Sequence, residues 1–99
     1  MRRRLLAGNW KANFTVKEAQ SLALALRAKL ERKGSIISGQ CNIVVAPPLL
    51  AIPAVSEVLK HSIIGIAAQN MHYEKGAYTG EVTARMLREL RKLCTGFCT

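Results

Sequence analysis

Two short apolar runs, Cys41-Asn42-Ile43-Val44-Val45-Ala46 and Ile63-Ile64-Gly65-Ile66-Ala67-Ala68, constrain this chain more than any other feature. Both are β-branched and nearly continuous, as strands covered on both faces of a parallel sheet read. Between them Ile52, Val55, Val58 and Leu59 recur at helical spacing, and Pro47-Pro48 closes the first run. Pro53 suits the first turn of that helix, where a missing N–H leaves nothing unpaired. The helix is expected to end near His61-Ser62. Strand, helix, strand in this order predicts a βαβ unit with a right-handed crossover.

A second helix precedes the first run. Thr15 and Glu18 match the Thr-x-x-Glu capping box, in which each side chain satisfies a backbone N–H at the helix start. Ala19, Leu22, Ala23, Leu26 and Leu30 then form one buried stripe. Gly34 is the expected stop, with basic residues in the last turn favouring the helix dipole. Ser35 to Gln40 reads as loop. Ahead of this helix, Arg2 to Ala7 reads as a first strand whose buried end, Leu5-Leu6-Ala7, gives out at Gly8. After the third strand, Gln69 to Glu81 is a thirteen-residue loop, a length that usually signals function. A last helix is expected from about Thr83, with Met86, Leu87 and Leu90 as its apolar positions. The fold class is therefore α/β: three parallel strands, each followed by a helix.

At 99 residues the chain has room for one small domain, and its 49% hydrophobic content supports a folded one. No apolar run reaches the roughly 18 residues that span a bilayer, and Leu5-Leu6-Ala7 is too short for the core of an export signal. A cytoplasmic location is the expectation. The net charge of +9 raises an alternative, a non-catalytic basic module that binds anions or nucleic acid. The cations are spread, however, and most fall on polar helix faces; five aromatics without basic interleaving make no base-stacking platform. Three cysteines, Cys41, Cys94 and Cys98, point to free thiols. His61 and His72 are not spaced to join them around a metal, and no cofactor is expected.

The chemistry gathers in Ala7-Gly8-Asn9-Trp10-Lys11-Ala12-Asn13. These residues fall at the carboxyl end of the first strand, where parallel α/β sheets bind ligands. By the period of two, Asn9 and Lys11 share one face, and the amide and ammonium can converge on one small anion. A polar strand tip with Trp10 as a packing residue accounts for the same residues without a ligand.

This stretch resembles the Gly-Asn-Trp-Lys-x-Asn motif that ends the first strand of the triosephosphate isomerase family. Val45-Ala46-Pro47-Pro48 is similar to that family's second strand end, and Ala67-Ala68-Gln69-Asn70 to its third. Gly76-Ala77-Tyr78-Thr79-Gly80-Glu81 is similar to the loop that crosses into the partner subunit of the family's homodimer. Four motifs stand in the right order over residues 4 to 90. The resemblance implies part of a (β/α)8 barrel, a family fold of typically about 250 residues. It implies interconversion of glyceraldehyde 3-phosphate and dihydroxyacetone phosphate in glycolysis and gluconeogenesis. Asn9, Trp10 and Lys11 would be substrate-binding, Lys11 would be the electrostatic catalytic residue, and Thr79 would lie at the dimer interface.

Triosephosphate isomerase is itself a standard example of catalytic pKa tuning: a carboxylate base, a neutral histidine electrophile and a closing loop. None of these is matched within the 99 residues. His61 and His72 stand elsewhere, and Glu81 matches a structural position. The polypeptide alone is therefore expected to be inactive. Residues 91–99 leave the family pattern, and a shifted reading frame over them would restore an Ala-Ser-Tyr-Val start to a fourth strand. Three strands of a barrel also keep two open edges and an uncovered inner face. Ile43, Val45, Ile64 and Ile66 alternate, so some are expected on that face, and the chain is expected to be poorly soluble or partly molten.

Overall fold

The computed structural model describes residues 4–33 and 41–93. Gly34, the loop expected over Ser35 to Gln40, Cys94 and Cys98 lie outside the described residues. The elements run β1 (Arg4–Asn9), α1 (Val16–Arg32), β2 (Cys41–Ala46), a 3₁₀ turn (Leu49–Ala51), α2 (Ile52–Val58), β3 (Ile64–Ile66) and α3 (Ala84–Leu93). The three strands form one parallel sheet in the order β1-β2-β3.

β1 differs from the expectation. It continues through Gly8 to Asn9, because six consecutive residues pair in register with β2, from Arg4 opposite Cys41 to Asn9 opposite Ala46. Gly8 is thus an interior strand residue opposite Val45, not the strand's end. Nor is the strand buried: all six of its residues are exposed, including Leu5 at 64% and Leu6 at 56%. Among the described residues only β2 pairs with it, so its outer edge is uncovered.

α1 begins as its sequence dictates. Thr15 Oγ1 accepts from the Glu18 N–H, and Glu18 Oε1 accepts from the Thr15 N–H. The two contacts satisfy donors that a helix start leaves orphaned. The carboxylate is held below the usual glutamate range, first by the backbone donor at Thr15 and then by the Thr15 side chain. Ala19 and Ala23 are fully buried, with Leu22, Leu26 and Leu30 packed against the core. α2 carries Pro53 in its first turn and buries Ile52 and Val55, with Leu59 just beyond its end.

The core lies between the sheet and its helices: Val45, Ile64 and Ile66 from the strands, Ala19 and Ala23 from α1, Ile52, Val55 and Leu59 from α2, and Leu87 from α3. The register places Ile43 opposite Ile64 and Val45 opposite Ile66. Residues two apart point the same way, so all four belong to the helix-covered face. This corrects the expectation that some of them line the uncovered face. Met86 is a second correction: it is 56% exposed, while Leu87 of the same helix is buried. Met86 lies about 100° around the helix from Leu87, off the line on which Leu87 meets the core.

Between β3 and α3 the chain makes a long excursion pinched at its base. His72 donates its N–H to the Val82 carbonyl at 2.6 Å, and His72 and Thr83 form an isolated bridge. The residues between them are mostly exposed. Gly76 and Gly80 take φ of +143° and +82°, backbone that a side chain disfavours. The His72 ring packs against those of Tyr73 and Tyr78, with centroids 5.1 and 4.4 Å away.

Candidate anion site at the strand tips

The carboxyl ends of all three strands meet at the loop that follows β1. Trp10 is 8% exposed and anchors that loop in the core. Its N–H donates to the Ala46 carbonyl at 3.1 Å, prolonging the β1–β2 ladder by one step. Its indole meets the Phe14 ring edge-on, centroids 5.6 Å apart. A Cβ on Gly8 would sit 3.6 Å from the indole Nε1, so glycine leaves the ring room without being obligatory.

Beyond Trp10 the chain turns. The Asn13 N–H and its side-chain Nδ2 both donate to the Trp10 carbonyl, at 3.3 and 3.0 Å. Lys11 occupies the turn at φ +55°, the left-handed region that non-glycine residues enter at a cost of order 1–3 kcal/mol. The strand alternation therefore stops at Asn9, and the expectation that Asn9 and Lys11 share a strand face does not hold. A side chain joins them instead: Asn9 Oδ1 accepts from the Lys11 N–H at 2.9 Å. Lys11 is exposed.

Gln69 follows the third apolar run, and its residue type alone assigns it no role. In the structure its Nε2 donates to the Lys11 carbonyl and to the Ala46 carbonyl, both at 2.8 Å. One side-chain amide thus connects the chain leaving β3 to the ends of β1 and β2. An amide directly after the third apolar run was the available signal.

The remaining expected residues lie apart from this cluster. Thr79 is exposed on the excursion between β3 and α3. There Tyr78 Oη donates to Glu74 Oε2 at 2.8 Å, and this bond holds the phenol pKa above its ordinary value. His61 is exposed after α2 at φ +62°. Two open pockets border the excursion, one between Lys75 and Glu89 and one between Leu49 and Val82; neither is lined by Asn9 or Lys11. Among the described residues no cluster of three metal-ligating side chains occurs, and no helix is long and apolar enough to cross a membrane.

Three parallel strands with intervening helices, and a lysine-bearing turn at the strand carboxyl ends, have the layout of consecutive βα units of a (β/α) barrel. The family model described as triosephosphate isomerase matches residues 4–94. The chain belongs to the triosephosphate isomerase family. It is 46% identical over 91 residues to a triosephosphate isomerase of Clostridium botulinum, covering 91% of this chain and 34% of that protein. One from Acetivibrio thermocellus is 47% identical over 90 residues, 90% of this chain and 34% of its own length. One from Dehalococcoides mccartyi is 41% identical over 91 residues, with coverage of 91% and 34%. The chain spans about a third of the length of the curated relatives it matches. The alternative of a basic nucleic-acid module finds no support in these likenesses. Arg27, one of its cations, is bound to Glu31 and to carbonyls at and just past the end of α2.

Proposed function

We propose that this chain supplies the electrostatic end of a triosephosphate isomerase site. Lys11 faces the phosphate and the developing enolate oxygen of a triose phosphate, Asn9 adds an amide donor, and Trp10 fixes the stretch that carries them. The reaction served is the interconversion of glyceraldehyde 3-phosphate and dihydroxyacetone phosphate, a step of glycolysis and gluconeogenesis in the cytoplasm. The observation that carries the reading is the left-handed turn at Lys11, held at the meeting point of three strand ends.

The physics separates binding from turnover. A charge pair at 4 Å is worth about 4 kcal/mol at an effective dielectric of about 20, and less on an open surface. Isomerisation also moves a proton between two carbons, and a positioned base contributes roughly 10²–10⁴-fold. Triosephosphate isomerase, a standard example of such tuning, uses a carboxylate base and a neutral histidine. Neither His61 nor His72 matches the family's electrophile, and the 99 residues by themselves bind without turning over. Thr79, on the excursion before α3, faces a partner subunit in the homodimer.

The test uses the purified chain. Glyceraldehyde 3-phosphate should show no turnover above buffer, and inorganic phosphate should shift the backbone amide resonance of residue 11 in the chain but not in Lys11→Gln. Turnover would overturn the inactivity; an unmoved Lys11 resonance would overturn the anion assignment.

A further inference from the structure

Lys11 is pinned from two directions. Its N–H is taken by Asn9 Oδ1, a neighbour two residues back. Its carbonyl is taken by Gln69 Nε2, 58 positions away in sequence. A residue at φ +55° without glycine's freedom persists where the surroundings over-determine it. Asn9, itself paired with Ala46 in the sheet, holds only the N–H side of the turn and leaves the Lys11 carbonyl to another partner. Gln69 supplies an external reference. The same nitrogen also donates to Ala46, the last residue of β2, whose carbonyl in turn accepts from the Trp10 N–H. The turn is therefore fixed to the sheet as well as to the loop after β3.

We propose that Gln69 is a positioning residue for Lys11: its side-chain amide holds the left-handed turn that presents the ammonium beyond the strand ends. This extends the reading of Lys11 as the anion contact and rests on it for its functional consequence. The geometric part stands independently of any ligand. The role requires an N–H donor at this position. A carboxylate of the same shape cannot donate, and it would face the carbonyls of Lys11 and Ala46 as a second acceptor.

The experiment compares the isotope-labelled chain with Gln69→Ala and Gln69→Glu. The readouts are the amide-to-Hα coupling and distance of Lys11, which report the sign of φ. Exchange protection of the β2–β3 amides reports the sheet, and inorganic phosphate titrations report binding. Both variants should lose the positive-φ signature while keeping β2–β3 protection, and should weaken phosphate binding about fivefold, the worth of one net hydrogen bond. A positive φ retained in both variants overturns the proposal. So does loss of sheet protection in both, since Gln69 would then support the sheet at large. Phosphate that leaves Lys11 unmoved in the unaltered chain removes the anion reading, while the φ comparison still decides the role of Gln69.

Discussion

Arg27 donates from Nη1 to the carbonyl of Val58 at 2.7 Å, and the same nitrogen reaches the carbonyl of Lys60 at 2.8 Å. These are carbonyls at and just past the end of α2, where a helix leaves acceptors without partners. The guanidinium Nε meanwhile binds Glu31 at 2.8 Å. One side chain of α1 thus closes off the end of α2, and the cation also meets that helix's negative pole.

Arg27→Ala is therefore expected to destabilise the chain by about 2 kcal/mol, in the range of charge-assisted hydrogen bonds. Arg27→Lys should recover less than half of the loss, since an ammonium cannot reproduce the planar fork. Glu31→Ala should cost only a few tenths of a kcal/mol, as exposed i,i+4 pairs do. Urea midpoints of the three variants test the ranking. A lysine variant as stable as the parent would remove the cap argument.

The Thr15–Glu18 box carries a pH dependence whose sign follows from the depressed carboxyl pKa. A carboxylate that ionises more readily folded than unfolded adds stability above its unfolded pKa, and loses it as pH falls through the folded value. Stability should decline in acid below about pH 4. Thr15→Ala should cost about 1 kcal/mol near neutrality. It should also flatten the acid decline, because the hydroxyl is one of the two groups depressing Glu18. Unfolding midpoints of both chains between neutral and acid pH would show this.

Some of this architecture was legible because its causes are local. The α1 cap acts across three residues, and the observed helix starts right after Thr15. The Cys41–Ala46 strand keeps its expected ends. What could not be read depends on partners far away in sequence. β1 extends to Asn9 because β2 offers six residues of register. It is exposed because, among the described residues, nothing lies along its outer edge. The Lys11 turn and the Gln69 bridge are products of three strand ends arriving together, and no spacing rule within one segment announces them. Family membership was legible for a different reason: the residue types at 9 to 13 are themselves a family signature.

The α2 stripe provides a contrast between neighbours. Ile52 is fully buried and Leu50, two residues earlier, is 84% exposed. Ile52→Ala should cost 2–5 kcal/mol through lost transfer energy and the cavity left behind, estimated roughly from similar core truncations. Leu50→Ala should fall within about 0.5 kcal/mol of neutral. Thermal unfolding distinguishes the two. Comparable losses would mean that the face carrying Leu50 is covered in solution.

The exposed strand β1 predicts how the isolated chain behaves. Leu5 and Leu6 stand open at 64% and 56%, on a strand whose far edge offers unpaired backbone groups. Such an edge templates pairing with another chain, and a lysine there opposes it by charge and by the desolvation of its ammonium. Leu6 lies opposite Ile43 on the helix side of the sheet, while Leu5 lies opposite exposed Asn42 on the other. Leu5→Lys should therefore raise solubility with little change in unfolding midpoint, because the position contributes no buried contact to the core cluster. Leu6→Lys should raise solubility too but lower the midpoint by more, since it sets a charge beside half-buried Ile43. Light scattering against concentration, together with urea unfolding, separates the two effects. Aggregation unchanged by either substitution would place the sticky surface elsewhere than the β1 edge.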